Sequence, residues 1–159
     1  MVFLTRVDDR LLHGQIMATW VPFLKADTVV VASDEVASSA IRKAAIMSCA
    51  YAGFMVKVET IKAAAEDVTN VGLSNSRVIL IVATLDDAVR LYEQGFRFKS
   101  LNIGNLHHDS SEGSRHVTDS VSLNTEDYEL ICRLEKLGVD IDFSDVPGRG
   151  GIFGAKRMI

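Results

Sequence analysis

Two apolar runs limit most strongly what this chain can fold into: Thr28 to Ala32, Thr-Val-Val-Val-Ala, and Arg77 to Ala83, with Val-Ile-Leu-Ile-Val inside it. Neither alternates apolar with polar residues, so a strand made from either cannot leave one face in water. Such strands need cover on both sides, as the central strands of a parallel sheet have. Shorter candidate strands are Val2 to Leu4, Gly53 to Val58, Leu101 to Ile103, Val121 to Leu123 and Val139 to Phe143. Helical patterns fall between them. One runs from about Gln15 to near Pro22, which fits poorly inside a helix. Ser33-Asp34-Glu35 is a plausible cap for a helix from Ala37 to Ala50, with Ile41, Ala44, Ala45 and Ser48 on one face. Ile61 to Val68 is a third. Thr84 can cap a fourth, closed by Gly95, and Asn124 a fifth that ends at about Lys136 before Gly138. Strands alternating with helices select an α/β fold, a single-domain mostly parallel sheet with helices on both faces.

One domain is the expectation for 159 residues, with nothing that marks an internal boundary or a repeat. The polar stretch Asn105 to Thr118 is the best candidate loop, and Ser144 to Ile159 reads as a flexible tail or a lid. With 48% hydrophobic and 24% charged residues and a net charge of −4, the chain is of the soluble globular class and gives no general reason to expect nucleic acid. No apolar run approaches the roughly 18 residues that span a bilayer, and the N-terminus lacks the pattern of a signal peptide, so a cytoplasmic location is expected. Cys49 and Cys132 have no Cys-x-x-Cys partner and read as buried free thiols on helices.

Chemistry concentrates in Arg6-Val7-Asp8-Asp9-Arg10-Leu11-Leu12-His13-Gly14-Gln15, a charged turn between the first strand and the first helix. In a parallel α/β sheet, ligands collect outside the carboxyl ends of the strands, where this turn lies. Neutral imidazole is a good nucleophile near neutral pH, which makes His13 the candidate catalytic residue. A phosphoryl group bound there carries about two negative charges, and the forked donors of Arg6 and Arg10 match phosphate oxygens. Gly14 would let backbone N–H groups approach an anion, and a helix opening at Gln15 adds a favourable dipole. Asp8 and Asp9 are placed to orient the arginines or fix the imidazole tautomer.

Those ten consecutive residues resemble the active-site loop of the enzyme IIB proteins of the mannose/fructose/sorbose family, in the bacterial phosphoenolpyruvate-dependent sugar phosphotransferase system. The resemblance covers nearly the whole chain, more loosely beyond the first loop. It implies a phosphocarrier: a IIA protein or domain phosphorylates His13 on Nδ1, and His13 passes the group to a sugar during import through the membrane subunits IIC and IID. It also implies no cofactor, and peripheral association with the membrane transporter. Asn102-Ile103-Gly104-Asn105-Leu106-His107 and Asp145-Val146-Pro147-Gly148 resemble segments of the N-acetylgalactosamine and galactosamine branch.

Arg42 follows the loop at the end of the second strand, so topology can bring it to the crevice of His13; the plain alternative is a solvated helix face beside Lys43. Its surroundings, Ser33 to Ala37 and Ile41-Arg42-Lys43, resemble a family segment whose arginine helps bind the phosphoryl group. Thr84, after the central strand, could donate to an anion or serve only as a helix cap. His107, His108 and His116 share one polar loop, yet their spacing matches no zinc pattern, and no metal is expected. Gly148-Arg149-Gly150-Gly151 does not follow a strand and open a helix as a phosphate loop does, so it reads as tail. A rival from another class is a receiver-like regulatory domain phosphorylated on a carboxylate, with Asp8 and Asp9 as its acidic pair and Thr84 as its switch hydroxyl. Its third strand would have to end in an aspartate, and this one ends at Glu59.

Overall fold

The computed structural model describes residues 1–70, 73–108 and 113–148. Strands β1 (Val2–Asp8), β2 (Thr28–Ala32), β3 (Met55–Glu59), β4 (Val78–Val82), β5 (Ser100–Asn105) and β8 (Asp140–Asp142) form one sheet in the order β3-β2-β4-β1-β5-β8. Every pairing in it is parallel. The two continuous apolar runs are β2 and β4, buried at every residue and central, as their composition requires.

Side chains of these strands alternate between two cores. Val30, Ala32, Val78, Leu80 and Val82 join Ile61, Ala88, Leu91 and Ile131, from helices α5 (Ile61–Thr69), α6 (Leu85–Glu93) and α7 (Thr125–Lys136). Val29, Val31, Ile79 and Ile81 join Leu11, Leu12, Ile16, Trp20 and Val36 on the opposite face. That second face is covered by α1 (Gly14–Ala18), α2 (Trp20–Leu24), α3 (Asp34–Ala37) and α4 (Ala40–Met47). Caps fall where the sequence places them: Thr84 accepts from Asp87 N, and Asn124 with Asp127 forms a full capping box on α7.

Several boundaries differ from expectation, each for a local reason. The helix expected from Gln15 to Pro22 is two short ones, broken at Thr19, whose hydroxyl donates to the Gln15 carbonyl at 2.7 Å. Pro22 lies inside α2 rather than ending a helix; in a first turn its missing N–H costs nothing. Likewise Ser33 caps α3, and a second cap, Ser39, restarts the chain as α4. The restart turns the expected Ile41, Ala44, Ala45 and Ser48 face outward, with Ile41 85% exposed, while Ile46 and Cys49 lean on the core. Within the supposed loop, Arg115–Thr118 is a strand, β6, antiparallel to β7 (Val121–Leu123), and Asn105 belongs to β5. Cys49 is only half-buried and lies just past α4, while Cys132 is exposed on α7, so neither is the buried thiol expected. Ser144 to Gly148 is described, whereas the rest of the proposed tail, including Arg149 to Gly151, lies outside the described residues.

This topology positions the site. The connection leaving β1 crosses one face towards β2, and that leaving β4 crosses the other face, past β1, to β5. The loops after β1 and β4 therefore part, opening a crevice at the carboxyl edge of adjacent strands. His13 follows β1 and Thr84 follows β4. Since Ile41 stands in solvent, Ile41→Ser should change unfolding free energy by no more than about 0.5 kcal/mol. Ile131→Ala, at a fully buried position, should cost about 2–5 kcal/mol in the same urea titration.

Candidate active site

Asp8, the last residue of β1, is fully buried and is the hub of the site. Its Oδ2 accepts from Arg6 Nε at 3.2 Å, from Arg6 Nη2 at 3.0 Å and from His13 Nε2 at 2.9 Å. Its Oδ1 accepts from the backbone N–H of Arg10 at 3.1 Å. A carboxylate paired with Arg6 serves as an acceptor, so the His13 proton sits on Nε2 and the lone pair on Nδ1. The His13 side chain is 16% exposed and stands at the N-cap of α1 in extended backbone, with no capping bond to divert it.

The loop between Asp8 and His13 is fixed by its own apolar residues. Leu11 N donates to the Asp8 carbonyl at 2.9 Å, closing a turn, and Leu11 takes the left-handed conformation at φ 56°. A leucine rarely adopts that backbone; here the side chains of Leu11 and Leu12 are buried in the core beneath α1 and hold it.

Arg6 is placed otherwise than a phosphate ligand would be. Its guanidinium is fully buried. Besides Asp8 it donates from Nη1 to Asn102 Oδ1 at 2.6 Å and to the Ser144 carbonyl at 3.3 Å, and it lies over the Trp20 ring, 5.6 Å from the centroid. Burial draws it below its ordinary pKa, opposed by the charge and hydrogen bonds of Asp8; a guanidinium so placed stays charged. Its forked donors are used inside the protein, on Asp8, Asn102 and the Ser144 carbonyl. Asn102 in turn donates to Asp142 Oδ2 at 2.7 Å and to the Ser144 carbonyl at 2.9 Å, and Trp20 Nε1 donates to the Asp145 carbonyl at 3.1 Å. The start of the supposed tail is thus seated on the site.

Arg10 differs: it is exposed, and its Nη2 makes one long bond, 3.3 Å, to Gln15 Oε1. Gly14 is also exposed, with open space where a Cβ would be. Among the described residues, Asp9 bonds neither an arginine side chain nor His13. Asn105 Nδ2 donates to its Oδ1, and its Oδ2 accepts from His107 N at 2.9 Å and from His107 Nδ1 at 3.1 Å. Arg42 pairs with Glu35, both well exposed, and makes no hydrogen bond to the His13 loop among the described residues. The exposed Thr84 is a helix cap, as above, its hydroxyl accepting from Asp87 N at 3.0 Å and hydrogen-bonded to the Asp87 carboxylate.

The loop histidines separate rather than converge: His107 goes to Asp9, His108 Nε2 to Asp127 Oδ2 at 2.6 Å, and His116 is exposed on β6. Asp8 and Asp9, each occupied by a different imidazole, are not the open acidic pair of a receiver site. Sequence reasoning missed Asn102, Gly104, Ser144 and Trp20. A polar Asn102 and a Gly104 inside an otherwise apolar strand were the readable signal, because neither suits a strand interior without a close neighbour.

A Cβ on Gly104 would land on the Arg6 guanidinium. The backbone of β5 therefore serves as the floor on which Arg6 lies. Gly104→Ala should displace Arg6, leave Asp8 without its counter-charge and cost about 3 kcal/mol or more. Gly14→Ala meets nothing and should leave stability within about 0.5 kcal/mol, a contrast that urea unfolding curves measure.

Comparison with known proteins places this geometry among relatives. The family model described as "PTS system sorbose subfamily IIB component" matches residues 2–150. The N-acetylgalactosamine-specific phosphotransferase enzyme IIB component 1 of Escherichia coli is 30% identical over 92% of this chain and 92% of that one. The mannose-specific EIIAB component of Escherichia coli is 29% identical over 90% of this chain and 44% of its own greater length. The crystal structure of the IIBSor domain of the sorbose permease from Klebsiella pneumoniae superposes with a TM-score of 0.86 at 27% identity, over 96% of this chain and 92% of that one.

Proposed function

Because this chain belongs to the sorbose subfamily of IIB components of the phosphotransferase system, whose work is phosphoryl transfer in sugar uptake, we propose that His13 is its phosphoryl carrier. The observation that carries this reading is the 2.9 Å hydrogen bond from His13 Nε2 to the buried Asp8, which leaves the Nδ1 lone pair for phosphorus. In the charging step Nδ1 forms a bond to phosphorus while the bond from phosphorus to the donor breaks, its electron pair leaving with the donor. The ring then carries both phosphorus and the Nε2 proton, hence a positive charge, and Asp8 lies directly against it. In the discharging step a sugar hydroxyl oxygen attacks phosphorus, and Nδ1 leaves with the electron pair as neutral imidazole, since Nε2 has kept its proton. One carboxylate thus favours both directions, and the group is never held so tightly that it cannot leave.

Arg10 is the residue free to follow the phosphoryl oxygens, exchanging its long bond to Gln15 for a forked one. Gly14 and Gln15 bring the N–H groups of the first turn of α1, which no helix carbonyl takes. Thr84, after the neighbouring strand, can offer its hydroxyl only by giving up Asp87. Arg42 is secondary, because it must first release Glu35. Arg6 and Asp8 act from beneath, as positioning residues.

The donor in this reading is a IIA protein or domain, and the fused name of the mannose-specific EIIAB relative supports such a neighbour. The acceptor is a sugar presented by membrane IIC and IID subunits, with this chain a single IIB domain bound peripherally on the cytoplasmic side. Among the described residues no helix is long and apolar enough to cross a membrane. The two segments around Asn102 to His107 and Asp145 to Gly148, together with the N-acetylgalactosamine-specific relative, favour N-acetylgalactosamine or galactosamine as the sugar.

Incubation with phosphoenolpyruvate, the general phosphotransferase proteins and a matching IIA should add one phosphoryl group by mass. His13→Ala should abolish it, and the label should be lost in acid and kept in alkali, whereas an acyl phosphate would behave in the opposite way. Arg10→Lys keeps the charge but loses the planar fork, and should slow transfer about ten- to a hundredfold with an unchanged unfolding midpoint. An unaltered rate in stopped-flow labelling would remove Arg10 from the mechanism.

A further inference from the structure

Asp8 ends β1 and Asp9 follows it; each holds an imidazole, and they hold opposite nitrogens. Asp8 takes Nε2 of His13 and leaves Nδ1 outward. Asp9 takes Nδ1 of His107 at 3.1 Å and leaves Nε2 outward. The second pair, more exposed than the first, is held by several hydrogen bonds. Asp9 N donates to the Asn105 carbonyl at 3.0 Å, Asn105 Nδ2 donates to Asp9 Oδ1, and His107 N donates to Asp9 Oδ2 at 2.9 Å. Asp8 and Asn105 are register partners across β1 and β5, so both imidazoles stand at the carboxyl edge of adjacent strands. The His107 side chain is 56% exposed on that rim.

An aspartate that fixes Nδ1–H and leaves Nε2 bare is the arrangement that makes imidazole a proton acceptor, since the carboxylate stabilises the imidazolium that forms. We propose that His107 is the general base of the discharging step, taking the proton of the sugar hydroxyl on Nε2 as that oxygen attacks the phosphoryl group on His13. This rests on the reading of His13 as carrier. The step balances: the O–H bond breaks and its proton goes to His107 Nε2. The oxygen lone pair forms the new O–P bond. The P–Nδ1 bond breaks with its electron pair left on His13. The imidazolium of His107, paired with Asp9, then returns its proton to water. Charging needs no such base, because no hydroxyl is deprotonated when phosphorus moves from a donor to His13. His107 therefore belongs to one half of the relay alone.

The test separates the two halves. Wild type, His107→Gln and His107→Ala are charged with labelled phosphoenolpyruvate, the general phosphotransferase proteins and IIA. They are then chased with membranes carrying IIC and IID and, in parallel, N-acetylgalactosamine, galactosamine, mannose, fructose and sorbose. Both variants should unfold at the wild-type temperature and charge at the wild-type rate. Sugar phosphate formation, measured at saturating sugar and membranes, should fall about a hundredfold. Added imidazole should restore much of that rate to His107→Ala, whose side chain leaves an open site, and little to His107→Gln. A wild-type chase rate in His107→Gln overturns the proposal. So does a loss that more membrane protein repairs and imidazole does not, which would make His107 a docking contact. Failure of the wild-type chain to charge on His13 would overturn the carrier reading itself, and the base with it.

Discussion

The buried ion pair between Arg6 and Asp8 is the interaction on which the rest of the site depends. Neither group touches solvent, and two charges taken out of water at one strand end are tolerable only when every donor and acceptor around them is used. That condition explains the neighbours. Asn102 and the Ser144 carbonyl take Arg6 Nη1, Trp20 covers the guanidinium, and the Arg10 amide and His13 complete Asp8. A carboxylate so enclosed cannot drift, and the imidazole resting on it inherits that rigidity. Much of the precision at His13 is therefore supplied by residues that never meet a substrate.

Rigidity below and freedom above are divided by the sheet edge. Asp8 and Arg6 belong to the strand, locked by pairing with β4 and β5, whereas Arg10 and Thr84 stand in loops beyond it and Gln15 in the first turn of α1. The proposed carrier role, in which cargo is both received and surrendered, requires this division: a fixed imidazole, and ligands loose enough to rearrange as charge arrives and departs. The strain of Leu11 fits the same plan, since the core holds two leucines where the chain must double back to bring His13 over Asp8.

Much of this was legible in the sequence, and the limits of legibility have physical causes. The unbroken β2 and β4 runs announced strands covered on both sides, and the caps at Thr84 and Asn124 marked helix starts by local chemistry alone. The charged decapeptide pointed to the site because so many titratable groups in one turn have little structural use. What local pattern could not give was partnership across the fold. Nothing within the decapeptide distinguishes Arg6, turned inward to Asn102 and Ser144, from Arg10, turned outward; the difference lies almost a hundred residues away. The burial of α4 was misjudged for a related reason. Its apolar residues have helical spacing, but a second cap at Ser39 resets the rotation of the helix, and spacing alone does not say which side meets the sheet. Asp9 was read as an assistant to its neighbours and instead reaches across to His107.

The bare backbone of Gly104 beneath Arg6 carries a consequence for how chains of this design can diverge. The guanidinium occupies the very volume that any side chain at residue 104 would claim, so positions 6 and 104 behave as a single hereditary unit despite their separation along the chain. A lineage that acquires even a methyl there must first shorten the residue at position 6, and in doing so strands the anion at position 8. Drift at this pair is consequently blocked in both orders, whereas Gly14, one residue from His13 and facing open space, is sterically free to vary.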